Sequence, residues 1–254
     1  TMFLYDLDTG AVHELAHAPH VNGQPVHGPN TPPVVSKNHV IWSESLAPIQ
    51  QGNDASLQNA VVRIEDLTTG QVTTLATKAG QSNLSWPWAC WGQITSGSGG
   101  YVEFKNLVTG QQEQLHSQPA TIALNGSSVV YDDSVSVYFI DDITKGANNP
   151  ATIVQANPAQ EEHYEFVSLS DRLISWRQDD QQGTVWDRAQ QRIVILPMTN
   201  PVQQPLSWSG QHILVWFDPE TQAQQTYDAQ HNFTPTPTID VIDTTTLPTT
   251  APGG

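Results

Sequence analysis

Strands that alternate apolar and polar residues, an aromatic residue returning every 40 to 49 positions, and one turn phrase written three times predict an all-β chain, a five-bladed antiparallel β-propeller. The aromatic strands are HVIWSES around Trp42, WACWGQI around Trp91, SVVYDDS around Tyr131, LISWRQD around Trp176 and ILVWFDP around Trp216. Their spacing matches propeller blades, and no segment sustains the three-and-four apolar period of a helix.

The turn phrase follows the next strand. It reads Asp6 to Gly10, Asp66 to Gly70 and Asn106 to Gly110, each of the form D/N-L-x-T-G between two alternating strands. An Asp or Asn side chain bonds the backbone ahead of it, and Gly accepts a positive φ that other residues resist. Weaker versions of the strand–turn–strand unit lie in 137–155 and 184–196. One unit is therefore a short strand, an aromatic strand, a third strand, the turn and a fourth strand: strands a to d of a blade.

The chain begins with strands c and d in 1–16, and 204–218 reads as strands a and b without a clear turn after it. Joining these pieces completes a fifth blade and removes two sheet edges. A further strand in QTYDAQHN, 225–232, is the six-bladed alternative. The propeller then spans 1–232, and 233–254, rich in Pro and Thr, reads as a tail or linker. IDVID, 239–243, is expected to lie against a propeller flank or a neighbouring chain, so self-association through the tail is an expectation too.

Composition narrows the function. Charged residues are 13% of the chain, so Gln, Ser, Thr and Asn must cover much of its surface. Nine Lys and Arg against 25 Asp and Glu give a formal charge of −16, which repels nucleic acid and anionic membranes and favours a basic partner or a divalent cation. With one cysteine, Cys90 in an apolar stretch, neither an intrachain disulfide nor a four-cysteine metal site can form. Few Lys, much Gln and Thr, and N-x-S/T sites at Asn83, Asn125 and Asn232 point to a secreted or cell-surface setting. The start inside a strand pattern points to a processed or trimmed product.

The aromatic strand followed by D-L-x-T-G resembles the TolB-type and related surface-protein propellers of bacteria and archaea. The matching residues are Trp42 with Asp66 to Gly70, Trp91 with Asn106 to Gly110, and Asp6 to Gly10. The resemblance implies a propeller over roughly residues 1–230 and protein contacts at the cell surface or envelope. It implies no catalytic residues. The fourth and fifth units depart from the pattern at Asp187-Arg188-Ala189 and Asp218-Pro219-Glu220.

In a propeller the b–c and d–a loops share one end, and loops on a rigid scaffold carry recognition. That end collects Glu44, Asp132, Asp133, Asp179, Asp180 and Asp218, together with the insertions 17–31 and 46–60. These acids are the candidate binding residues for a protein or carbohydrate. His17, His20 and His27 are the candidate metal ligands, since imidazole suits transition ions, although their spacing fits no established motif. No cofactor is called for beyond a possible calcium or other divalent ion at the acid pairs. Two other readings compete: a glycoside hydrolase or lyase with carboxylates at a channel mouth, and the sensor ectodomain of a membrane receptor. Trp86, Trp88 and Trp208 could form a carbohydrate platform or core packing, the commoner fate.

Overall fold

The structure is a computed structural model, which describes residues 2–6, 9–16, 20–21, 24–29, 32–48, 59–94, 100–156, 163–178, 183–194, 207–209, 213–218 and 238–243. Two compact units divide the chain, the first 1–118 with 143–148, the second 119–142 with 149–254. Among the described residues the regular structure is strand, apart from isolated short 3-10 turns, and no helix is long and apolar enough to cross a membrane.

In the first unit, β1 (Met2–Tyr5) and β2 (Val12–Ala16) form a hairpin. A small hairpin, β3 (His20–Val21) and β4 (Gln24–Pro29), comes next. The following blade is β5 (Val34–Ser36), β6 (His39–Pro48), β7 (Ala60–Asp66) and β8 (Gln71–Thr77). Strand β6, ten residues long, outruns β5, so β4 pairs with its far half, Gly28 opposite Ser45 and Pro29 opposite Glu44. The insertion 17–31, expected as a loop, thus supplies two strands. Its Pro and Gly content hid them, yet an otherwise bare edge of β6 gives them backbone partners.

The next blade is β9 (Ala79–Ser85), β10 (Trp88–Ile94), β11 (Gly100–Asn106) and β12 (Gln112–Leu115). Between the two blades Trp91 packs with Ile41, Val62, Ile64, Leu84 and Ala89. The segment 143–148 lies on the outer strand β12: Asn148 Oδ1 accepts the His116 N–H at 3.0 Å, and its Nδ2 donates to the Gln114 carbonyl at 2.9 Å.

All three turn phrases fold as read. Asp6, Asp66 and Asn106 accept from the backbone N–H of Thr9 (2.9 Å), Thr68 (2.8 Å) and Thr109 (2.9 Å). The hydroxyls of Thr9, Thr69 and Thr109 each accept from the residue two ahead at 3.3 Å. Gly10, Gly70 and Gly110 sit at φ 74°, 69° and 76°.

The second unit contains the blade β13 (Thr121–Asn125), β14 (Ser128–Asp132), β15 (Ser136–Ile140) and β16 (Ala151–Gln155). A further blade follows, β17 (Tyr164–Leu169), β18 (Leu173–Gln178), β19 (Gly183–Asp187) and β20 (Arg192–Val194). Buried Trp176 joins them, packed with Val130, Val137, Val167 and Ile174. The turn after β19 is the same device without its glycine. Asp187 Oδ1 accepts from the N–H groups of Ala189 (2.9 Å) and Gln190 (3.1 Å), and Gln191 takes the left-handed position at φ 50°.

The last sheet is β21 (Ser207–Ser209), β22 (Ile213–Asp218) and β23 (Thr238–Asp243). This corrects the expected closure. The place beside Ile213–Asp218 given to the amino-terminal strands is held by β23, and Met2–Tyr5 pairs with Val12–Ala16 alone among the described strands. TIDVID alternates β-branched and acidic residues and suits a strand, whereas the Pro and Thr around it dominated the compositional reading.

Candidate functional site

The second unit builds one end of its two complete blades into a fixed polar surface. The turn between β14 and β15 is tied to both ends of the connection between the blades: Ala156 N–H donates to the Val135 carbonyl at 2.8 Å, and Tyr164 N–H to the Ser134 carbonyl at 3.0 Å. This places the b–c turn and the d–a connection together, as the sequence reading required.

At its centre is Asp132, at the end of the aromatic strand β14 and wholly buried. The Thr121 hydroxyl donates to its Oδ2, and the Ser134 N–H to its Oδ1 at 3.1 Å. Thr121 Oγ1 in turn accepts the Val167 N–H from the next blade at 3.1 Å. Burial pushes the Asp132 carboxyl up to about 6, with the Thr121 and Ser134 hydrogen bonds resisting.

Asp133 turns the other way, into solvent. Its Oδ1 accepts from Val135 (3.0 Å) and Ser136 (2.7 Å), and its Oδ2 accepts the Tyr138 hydroxyl at 3.0 Å. Tyr138 stacks on Tyr131 at 4.9 Å, and burial lifts the Tyr131 phenol to about 12, its Tyr138 and Asp133 neighbours adding to the effect. Adjacent residues on a strand point to opposite faces, and these two acids do so.

Glu165, Phe166 and Arg177 complete this end. Glu165 pairs with Arg177 across β17 and β18, and the guanidinium lies 4.7 Å over the Phe166 ring. Phe166 is part exposed and sits in an irregular stretch at φ 54°. A bulky residue in that region costs energy, and such outliers gather at binding sites.

The opposite end of the same blades is clasped by side chains. Asn125 Nδ2 donates to Asp171 Oδ1 at 2.8 Å. Arg188 reaches the Asp171 carbonyl and the Asp141 carboxylate, both at 2.8 Å, and lies 4.4 Å over Phe139.

The other sequence candidates are distributed differently. Glu44 is buried in the first unit and paired with Arg63, which also donates to Thr74 Oγ1 at 3.2 Å. Nearby strands carry a second buried acid, Glu65, whose carboxylate meets exposed His13 at 2.8 Å. Asp179, Asp180 and His17 lie outside the described residues. Asp218 ends β22, and His20 and His27 stand on β3 and β4, their side chains outside the description. No cluster of three potential ligands occurs among the described residues.

Trp88 is core and Trp86 stacks on His39 at 3.7 Å, while the Trp208 side chain is outside the description. Cys90 is buried, which raises its thiol to about 12. Of the N-x-S/T sites, Asn83 lies in β9, Asn125 has its amide nitrogen on Asp171, and Asn232 is outside the description. Sequence reasoning missed Thr121, Glu165, Phe166 and Arg177. Only LISWRQD, which places Arg177 directly after an aromatic, hinted at one of them.

No protein-family model matches the chain, and no curated protein does. Solved structures do. TolB from Acinetobacter baumannii superposes with a TM-score of 0.60 at 12% identity, over 95% of this chain and 56% of TolB. The fold is that of a β-propeller. The Pyrococcus horikoshii acylaminoacyl peptidase gives 0.54 at 13% identity, over 85% of this chain and 38% of that one. The Dos1 propeller gives 0.53 at 12% identity, over 84% and 59%. This propeller chain thus spans little more than half the length of TolB, and at such identities the likeness establishes architecture.

Proposed function

We propose that the chain is an extracellular binding or scaffold module whose loop end in the second unit recognises a basic segment of a partner protein. The observation that carries the reading is charge. The second unit holds sixteen Asp and Glu against four Arg, a formal −12, whereas the first holds nine against five, a formal −4. Arg172, Arg177 and Arg188 are each committed to a carboxylate of their own unit, so they offer a partner little positive charge.

The surface also has the makings of a recognition site. Exposed Asp133 and half-exposed Glu165 flank the apolar Phe166 and Val135 on a backbone that the blades hold rigid. Complementary charge would steer a basic partner toward it. Secretion is supported by the scarcity of Lys and the abundance of Gln and Thr.

Titrating the protein with a Lys- and Arg-rich peptide, an acidic peptide of equal length and neutral oligosaccharides tests the reading. The basic peptide should bind, and Asp133→Asn with Glu165→Gln should weaken it about tenfold, with further loss as salt shortens the screening length. Binding of oligosaccharide with no response to the basic peptide would overturn it.

A further inference from the structure

The geometry points to a proton on Asp132 as the gate of the loop end: the carboxylate locks the 133–135 turn and the neighbouring blade in place, and its protonation releases one of them. The ionised carboxylate only accepts, and it receives part-buried donors, the Thr121 hydroxyl and the Ser134 N–H, with the Thr121 N–H adding to them. A protonated carboxyl must itself donate. If the proton sits on Oδ2, Thr121 Oγ1 becomes the acceptor of both Asp132 and Val167, and its own hydrogen loses its partner. If it sits on Oδ1, the Ser134 N–H loses its acceptor. Either way one part-buried donor loses its protein partner, and the site rearranges around Thr121 or Ser134.

Both residues are junctions. Thr121 takes the Val167 N–H of the next blade, and Ser134 takes the Tyr164 N–H while holding φ 69° between Asp133 and Val135. No cation contacts Asp132 in the described hydrogen bonds and ion pairs. Its surroundings are Asp133 next in the chain, Tyr131 on β14 and Tyr138 on β15. The flanking blade contributes Tyr164 and Glu165 on β17, Arg177 bonded to Glu165 on β18, and His163 just before β17. Burial thus favours the neutral form while the donors of Thr121 and Ser134 favour the charged one, and the group titrates near mild acidity.

The consequence for a partner rests on the reading of this end as the binding surface, but the gate itself can be tested without a partner. Backbone amide resonances of Ser134 and Val167, followed across about pH 5 to about pH 7, should move together with one midpoint. Asp132→Asn should flatten both curves. Thr121→Val should uncouple Val167 while Ser134 still titrates, and Thr121→Ser should keep both, so the test survives even if one variant fails to fold. Flat curves in the parent protein would overturn the gate and leave the surface standing. So would unchanged curves in Asp132→Asn, which would assign the titration to another group. A parent protein that titrates as expected but does not bind the basic peptide would overturn the surface instead.

Discussion

Glu44 in the first unit and Asp132 in the second are both buried acids on an aromatic strand, Glu44 in the middle of β6 and Asp132 at the end of β14, yet they are held by opposite means. Glu44 faces the Arg63 guanidinium, whereas Asp132 faces a hydroxyl and a backbone N–H. A cation compensates a buried carboxylate strongly and fixes its charge. Neutral donors compensate it partly and leave its protonation open. A buried acid on an aromatic strand is thereby a structural lock in one unit and a titrating group in the other.

Removing the cation breaks the comparison most severely. Arg63→Ala leaves Glu44 buried without its partner and should cost about 3 kcal/mol, read from the shift in a urea unfolding midpoint. Arg63→Lys should recover part of that loss, since it keeps the charge without the fork.

The pH dependence sharpens it. Asp132 has a folded-state pKa raised above its unfolded value, so its ionisation opposes folding. Its contribution is most favourable below about pH 4 and declines as pH rises through about 6. Asp132→Asn should remove that decline and raise stability at neutral pH by on the order of 1–2 kcal/mol, a figure tempered by the donors it disappoints. Asp187 shifts the other way. Burial works against its charge, but Arg172 and the N–H groups of Gln190 and Ala189 hold it below the usual carboxylate range. Its contribution should fade as pH falls below about 4 in both proteins, giving the parent a thermal optimum between the two windows. A parent protein whose melting temperature rises from pH 5 to pH 7 would contradict the assignment.

The smallest effect compares the turns. Gly110→Ala in the first unit should destabilise by about 1 kcal/mol, while Gln191→Gly at the equivalent position in the second should stabilise by up to about 1 kcal/mol. Equal signs for the two changes would show that the turns are not equivalent.

What was legible in the sequence is what the chain writes locally. The aromatic strands and the Asp/Asn–Gly turns are each decided within a few residues, and both fold as read. The turn at Asp187 read only as a weaker version because its glycine is missing, although its Asp side chain makes the same backbone bonds. β3, β4 and β23 were hidden by Pro, Gly and Thr around them, since composition is a poor guide where an uncovered strand edge supplies the partner. Asp132 and Asp133 were legible as acids of the loop end. Their roles were not, because Thr121 meets Val167 across 46 residues and Arg177 meets Glu165 across 12.

The repeated turn has an evolutionary consequence. Its side-chain bonds begin and end within a few residues, so a duplicated or transplanted hairpin arrives with its instructions complete and asks nothing of the sequence around it. The link from Asp132 through Thr121 to Val167 has no such independence. It can be inherited only when two successive blades are copied as a pair, so lineages that shuffle single blades would keep the scaffold and lose the proton-sensitive joint.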